Sequence, residues 1–446
     1  MSRSFHLVSL GCPKNLVDSE VIYGLLEKHG WQGLQEPDDA SVLLINTCGF
    51  IQPAVEESIE EILQLSRLKT DAPNKKLVVV GCLVQRYRKT LADELPEVDL
   101  FVGTEGVPQI PALLDNLLSG TAGPRLVRPD LFLMDAALPR RLSTPFFRAW
   151  LKITEGCDNH CSYCMIPLIR GRLRSRRMDD LVLEARQLEA EGVRELSLVA
   201  QDLTAYGLDL DGRRNLSGLL RRLLAETSVS WIRLLYLYPS TIEDELLELV
   251  AANPRIVPYL DIPLQHVSTP VLRAMNRRYR TEDIQALLAR VRTMLPDAAL
   301  RTTFLVGFPG ETQRDVDQLA DFLNEAALDH VGVFAYADEE GSSSAKLPDK
   351  IEEGVKAERL QRILTIQSAI SSKKLQRFVG TTQQVLVEGL SRETDLLLEG
   401  RTKYQAPDID GCVLINEGET RPGEMVDVEI TEAQIYDLLG RIAGSG

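Results

Sequence analysis

Apolar positions along the chain follow three patterns in succession. From residue 1 to 118 short apolar runs, "FHLVSL" (5–10), "SVLLIN" (41–46) and "KLVVV" (76–80), alternate with amphipathic stretches such as "DSEVIYGLLEKHG" and "AVEESIEEILQLSRL". Runs of this length suit strands buried on both faces, so the pattern predicts an α/β domain on a parallel sheet. Residues 119–142 carry Pro and Gly without sustained periodicity and read as a linker. A second alternating series fills 143–374, with "AWLKI" (149–153), "RELSLV" (194–199), "WIRLLYL" (231–237), "PYLDIP" (258–263), "LRTTFLV" (300–306) and "VGVFAYA" (331–337) as its strands. Six β/α units are too few for a closed eight-stranded barrel and predict an open, partial (β/α)6 TIM-like one, with its chemistry at the C-terminal strand ends. In 375–446 the runs "QQVLVEGL", "DLLLEGRT", "GCVLIN" and "EMVDVEITEAQIYDLLG" leave no room for crossover helices. They predict a small antiparallel β-barrel, closed to hide its edges.

Composition narrows the class. The 446 residues are 44% hydrophobic and 26% charged, enough for several cores. No apolar run approaches the roughly 20 residues that span a bilayer. The opening "MSRSFHLVSLGC" has one Arg before a strand-like run, unlike a signal peptide, so the cytoplasm is the expected location and no membrane partner is expected. A formal net charge of −15 argues against a general nucleic-acid binder while leaving room for the local patch "RGRLRSRR".

Seven cysteines in such a chain are more readily ligands, catalytic groups or core residues than disulfides. Cys157, Cys161 and Cys164, spaced Cys-x3-Cys-x2-Cys, directly follow the first barrel strand and so fall on a catalytic-end loop. Iron–sulfur clusters take thiolates, normally four, so a set of three leaves one iron open to grip a small molecule. A zinc site borrowing a distant ligand such as His160 is the alternative. Cys12, Cys48 and Cys82 each come one or two residues after an apolar strand of the first domain. Carboxyl ends of neighbouring parallel strands converge on one crevice. A lone cysteine there would be a core residue, but three at equivalent strand ends read as a second three-cysteine cluster site.

At these motifs the chain resembles the radical S-adenosylmethionine (SAM) enzymes. Two cysteine triads in this order, followed by a small barrel, resemble their methylthiotransferase branch over essentially the whole chain. The ribosomal-protein type is most similar, through "SLGCPKNLVDSE", "NTCGFIQPAVEESI", "LVAQDLTAYG", "YLDIPLQH", "RTTFLVGFPGET" and "VGVFAYADEEG". The resemblance implies a methylthiotransferase N-terminal domain, a radical SAM core and a TRAM domain. It further implies two [4Fe–4S] clusters and SAM as cofactors. The implied reaction is insertion of a methylthio group at the β-carbon of an aspartate in ribosomal protein S twelve, one SAM donating methyl and another supplying the 5′-deoxyadenosyl radical. An electron donor and a sulfur donor are implied partners. By the same resemblance Tyr163 lies beside the SAM adenine, or simply packs in its loop. The segment of Gln201 and Asp202 contacts the methionine part of SAM, although both residue types also favour strand-end turns.

"GFPGE" is a further cofactor-side candidate, in which Gly307 and Gly310 would permit a tight turn. His266 reads as a hydrogen-bonded structural residue, and Cys412 as core. The five arginines from Arg170 to Arg177 read as surface with one or two facing the site, since arginine binds carboxylate and phosphate bidentately. Two other functions compete: a tRNA adenosine methylthiotransferase, and a non-enzymatic, metal-binding ribosome adaptor. Residues 378–446 hold thirteen acidic and five basic residues, a balance of −8. That surface should repel tRNA and attract a lysine-rich ribosomal protein, which the acidic barrel is expected to bind.

Overall fold

The computed structural model describes residues 3–72, 74–121, 123–127 and 131–444; residues 122 and 128–130 of the expected linker lie outside this set. In the first domain, strands β1 (Ser4–Ser9), β2 (Gln32–Gly33), β3 (Val42–Thr47), β4 (Lys76–Gly81), β5 (Leu100–Val102) and β6 (Leu126–Val127) form one sheet. Its order is β2-β1-β3-β4-β5-β6 and every pairing is parallel. The chain leaves β1 first toward one neighbour, β2, and then toward the other, β3. The carboxyl ends of β1 and β3 therefore flank a topological switch point, the crevice where open α/β sheets bind ligands. Strand β6 comes from the stretch read as a linker. Further along that stretch Arg140 is fixed between Glu20 of the first domain and Glu184 of the next, at 2.6 and 2.7 Å.

The central domain contributes β7 (Arg148–Lys152), a short antiparallel ribbon of β8 (Thr154–Glu155) and β9 (Arg174–Ser175), then β10 (Glu195–Val199), β11 (Trp231–Leu234), β12 (Ile256–Asp261), β13 (Ala299–Val306) and β14 (His330–Ala335). Six of these make an open parallel sheet, β14-β13-β12-β11-β10-β7, as the six-unit pattern predicts. Alternate strand residues such as Leu151, Leu196, Leu198, Ile232 and Leu260 pack outward on the helices. Trp150, Trp231, Val257 and Tyr259 point into the concave side, where they meet Val17 and Val21 of helix Pro13–Lys28. Within the described residues no helix is long and apolar enough to cross a membrane.

Helix Glu353–Leu375 leads into β15 (Thr382–Leu390), β16 (Leu398–Thr402), β17 (Val413–Glu417), β18 (Met425–Ala433) and β19 (Leu438–Ile442). They close into a barrel in the order β15-β16-β17-β19-β18, antiparallel except for the parallel pair β17–β19. Charged contacts dock the barrel at or near the starts of the central strands. Arg148 binds Asp408 at 2.8 Å, Tyr259 donates to Asp410 at 2.6 Å, and buried Glu195 holds both Arg233 and Arg401 at 2.6 Å. The opposite, C-terminal ends of those strands remain available for a site.

Candidate active site

Both cysteine triads line one cavity of about 370 Å³ between the first two domains. Cys12, Cys48 and Cys82 reach it from the ends of β1, β3 and β4; Cys157, Cys161 and Cys164 reach it from the loop that the β8–β9 ribbon closes. Glycines let the first three turns approach. A Cβ on Gly11 would stand 2.7 Å from that of Cys48, and one on Gly49 would stand 2.8 Å from the Cα of Leu83, next to Cys82.

The sulfurs are provided with N–H donors. The backbone N–H groups of Asn159 and Ile166 donate to Cys157 and Cys164 at 3.4 and 3.5 Å. Arg170 Nε donates to Cys82 at 3.2 Å, and Arg277 Nη1 to Cys161 at 3.6 Å. Such bonds to sulfur are what tune an iron–sulfur cluster, so the donor set fits one at each triad. Burial pushes the Cys82 and Cys164 thiols up to about 12 and the Cys157 thiol to about 11. Metal loading must therefore displace protons at neutral pH. Among the described residues no three His, Cys, Asp or Glu side chains are gathered as ligands for a single metal ion, and His160 does not line the cavity.

Beneath the thiols lies a buried ionic network. Arg170 Nη1 binds Asp18 at 2.7 Å and Glu155 at 3.3 Å, and Nη2 binds Asn15 at 3.1 Å. Lys152 joins Glu155 at 2.9 Å and also contacts Asp18. Burial works against the Glu155 anion, but Lys152 and Arg170 together hold its carboxyl down at about 2. Asp18 and Asn15 belong to the first domain, whereas Lys152, Glu155 and Arg170 belong to the second. The network thus fastens the two triads' supports to each other.

Other residues read from the sequence separate cleanly. Tyr163 lines the cavity while packing on Val271, Met275, Phe308 and Tyr336. Gln201 also lines it; its amide donates to Glu155 at 3.4 Å, and its buried Oε1 has no partner among the described residues. Asp202 is turned to Asn159 and Thr204, at 2.7 and 2.6 Å, and is not a cavity residue. Gly307 and Gly310 make the expected turn, at φ 74° and 80°, but neither lines the cavity. The Gly307 N–H is taken by buried Glu311, which also faces His266 Nε2 at 3.4 Å, a structural arrangement. Cys412, read from the sequence as core, is only half-buried in the barrel domain and does not line the cavity. Sequence reasoning missed Lys14, Asn15, Tyr236, Tyr238, Gln265 and Arg277, all of which line the cavity. The barrel contributes nothing to that lining.

A Cys-x3-Cys-x2-Cys loop at the strand ends of a partial barrel is the arrangement of the radical SAM class of enzyme, and here a second thiol triad shares its cavity. Residues 151–323 match the Radical SAM superfamily, residues 4–103 the family described as Uncharacterized protein family UPF0004, and residues 379–443 the TRAM domain. The chain is 58% identical over 438 residues, 98% of its length and 99% of the relative's, to the ribosomal protein uS12 methylthiotransferase RimO of Desulfotalea psychrophila. It is 48% identical over 436 residues to the protein of that name from Geotalea uraniireducens, covering 98% and 97% of the two chains. The chain belongs to the uS12 methylthiotransferase family of radical SAM enzymes. Its cofactors are accordingly [4Fe–4S] clusters and SAM. Among solved structures, the radical SAM methyltransferase TsrM from Kitasatospora setae shares the fold, with TM-score 0.57, 18% identity and 75% of each chain covered.

Proposed function

We propose that this chain inserts a methylthio group at the β-carbon of an aspartate in ribosomal protein uS12, with Cys157, Cys161 and Cys164 holding the SAM-binding cluster and Cys12, Cys48 and Cys82 the second one. The observation that carries this is the single cavity lined by both triads, since sulfur must meet the carbon radical where it forms. When bound, the clusters supply the electron that cleaves SAM and the site at which sulfur and methyl are assembled. The protein's own part is positioning. Gln201 offers its Oε1, unpartnered among the described residues, to the SAM amino group, and Tyr163 walls the cavity beside the adenine. Arg170 and Arg277 hold one sulfur of each triad by N–H···S bonds. Tyr236, Tyr238 and Ile166 help keep the cavity largely apolar and shield a radical from water.

An electron donor and a sulfur donor complete the reaction, and the cytoplasm is the compartment where uS12 is met. Barrel acidity supports a basic protein substrate, in a modified form. Glu388 and Asp408 are spent on docking contacts with Arg148 and Asp410 on one with Tyr259, while Glu393, Asp395, Glu417, Glu419, Asp427 and Glu432 stay exposed. Because the barrel sits at the strand starts, it acts as an attracting handle and not as a wall of the site. The test is anaerobic turnover with SAM, reductant and sulfide, offering uS12 and tRNA in parallel. Mass spectrometry should find a gain of one CH2S unit on a single aspartate of uS12. A gain on a tRNA adenosine instead would overturn the substrate, and no SAM cleavage would overturn the enzyme.

A further inference from the structure

One charge in the cavity has no part in the reading so far. Lys14 stands in the first turn of the helix that follows Cys12, is 8% exposed, and lines the cavity. Its Nζ lies 3.8 Å from the centroid of the Tyr236 ring, and its one protein hydrogen bond among the described residues is a 3.4 Å contact to the carbonyl of Ala200. No carboxylate pairs with it there. Two other cations line the cavity, and both are occupied. Arg170 is shared among Cys82, Asp18, Glu155 and Asn15. Arg277 is held by Tyr279, Cys161 and the Pro263 carbonyl, and lies against the Tyr238 ring at 4.5 Å. An ammonium has three donors, and the Ala200 carbonyl takes one of them, so Lys14 keeps donors free for an incoming anion.

Its placement is built in. Tyr236 takes the left-handed conformation, φ 64°, which a tyrosine adopts only when its surroundings impose it. That backbone turns the ring beneath the ammonium. Bonding to the Ala200 carbonyl alone would not compensate a buried ammonium, which demands a counter-ion or several acceptors. Lys14 enters from the Cys12 side and reaches the end of β10, so it crosses from the first domain to the central one within the cavity that both triads line. SAM's own carboxylate would go to the iron that three thiolates leave open. The remaining anion that must enter is on the substrate: an aspartate carboxylate is bonded directly to the β-carbon that reacts. A group that grips the carboxylate therefore fixes the reacting carbon.

We propose that Lys14 receives the carboxylate of the target aspartate and sets its β-carbon between the two thiol triads, an inference that rests on aspartate being the substrate. It makes Lys14 a specificity-determining residue: a neutral side chain in the same place would leave the ammonium unpaired.

The test is a double-mutant cycle on binding, using the holoenzyme under anaerobic conditions. The ligands are uS12 and its variant with the modified aspartate changed to asparagine, the position having been located by mass spectrometry. Wild-type enzyme should bind the aspartate form about ten- to a hundredfold more tightly, the range of a charge-assisted hydrogen bond. Lys14→Met should bind both forms alike, and Lys14→Arg should recover part of the preference. Iron and sulfide counts on each variant check that the chain has folded and loaded. Should Lys14→Met fail that check, Lys14→Gln, which keeps a donor without the charge, takes its place. A preference that survives in Lys14→Met or Lys14→Gln overturns the proposal, as does a wild-type enzyme with no preference. Absence of any CH2S gain on uS12 in the wild type would instead overturn the aspartate reading beneath it.

Discussion

Replacing Arg170 with methionine should loosen the first domain from the second, whereas replacing Arg172 with alanine should not. The Arg170 side chain is 3% exposed, and its four contacts reach Cys82, Asp18 and Asn15 on one domain and Glu155 on the other. Its removal leaves Asp18 and Glu155 buried with Lys152 as their shared cation. Deleting one member of a buried ionic network costs about 3–5 kcal/mol, because the partners stay desolvated and uncompensated. Arg172 lies two positions away and pairs with Asp158 at 2.9 Å, but its side chain is 89% exposed and water replaces the contact. Denaturant unfolding of the metal-free proteins measures both variants. Circular dichroism follows the whole chain, and tryptophan fluorescence follows Trp31 in the first domain and Trp150 and Trp231 on the concave face it covers. Arg170→Met should lower the midpoint of the fluorescence transition clearly, with Arg172→Ala superimposable on wild type. Equal midpoints for all three proteins would refute the assignment of domain fastening to this network.

Glu195 gives a pH test. Burial opposes its charge, but Arg401 and Arg233 hold its carboxyl down to about 2 from the ordinary 4.5. Its contribution, about 3 kcal/mol by linkage, is therefore complete above pH 4.5 and is lost as pH falls toward 2. Thermal scans should show the wild type losing stability across that window and Glu195→Gln, already destabilised, changing less; parallel profiles would count against it. Triple Cys→Ala replacement in either triad should remove roughly four irons per chain and leave the rest, while Cys412→Ser should remove none, as read by iron and sulfide assay. Gly11→Ala forces a Cβ to 2.7 Å from that of Cys48 at φ 89°; it should cost about 1–3 kcal/mol and deplete iron bound to the first-domain triad, and full loading would contradict the close-approach argument.

The strands and both cysteine triads were legible because each is marked locally, an apolar run ending in a thiol. The rest depends on tertiary placement. Helix Pro13–Lys28 buries Lys14, Asn15, Asp18, Ser19 and Glu20, a polar face that periodicity alone assigns to solvent but that here meets the second domain. Tyr236 and Gln265 adopt positive φ without being glycine, so nothing in their identity announces the turn that aims them at the cavity. The arginine run reads uniformly, yet the β8–β9 ribbon sends Arg170 and Arg176 inward, at 3% and 1% exposure, and Arg172 outward. Arg176 serves Asp180 and Glu184, not the cavity. Likewise the barrel's acid residues count alike in a sum of charges, although Asp410 and Glu388 are committed to docking on Tyr259 and Arg148.

The central claim is that two iron–sulfur clusters face each other across one cavity. Electron paramagnetic resonance of the fully loaded, reduced enzyme tests it most directly. The account predicts a spin–spin interaction between the two clusters that disappears when either Cys12, Cys48 and Cys82 or Cys157, Cys161 and Cys164 are replaced. A loaded enzyme whose spectrum is the plain sum of the two triad variants would contradict it.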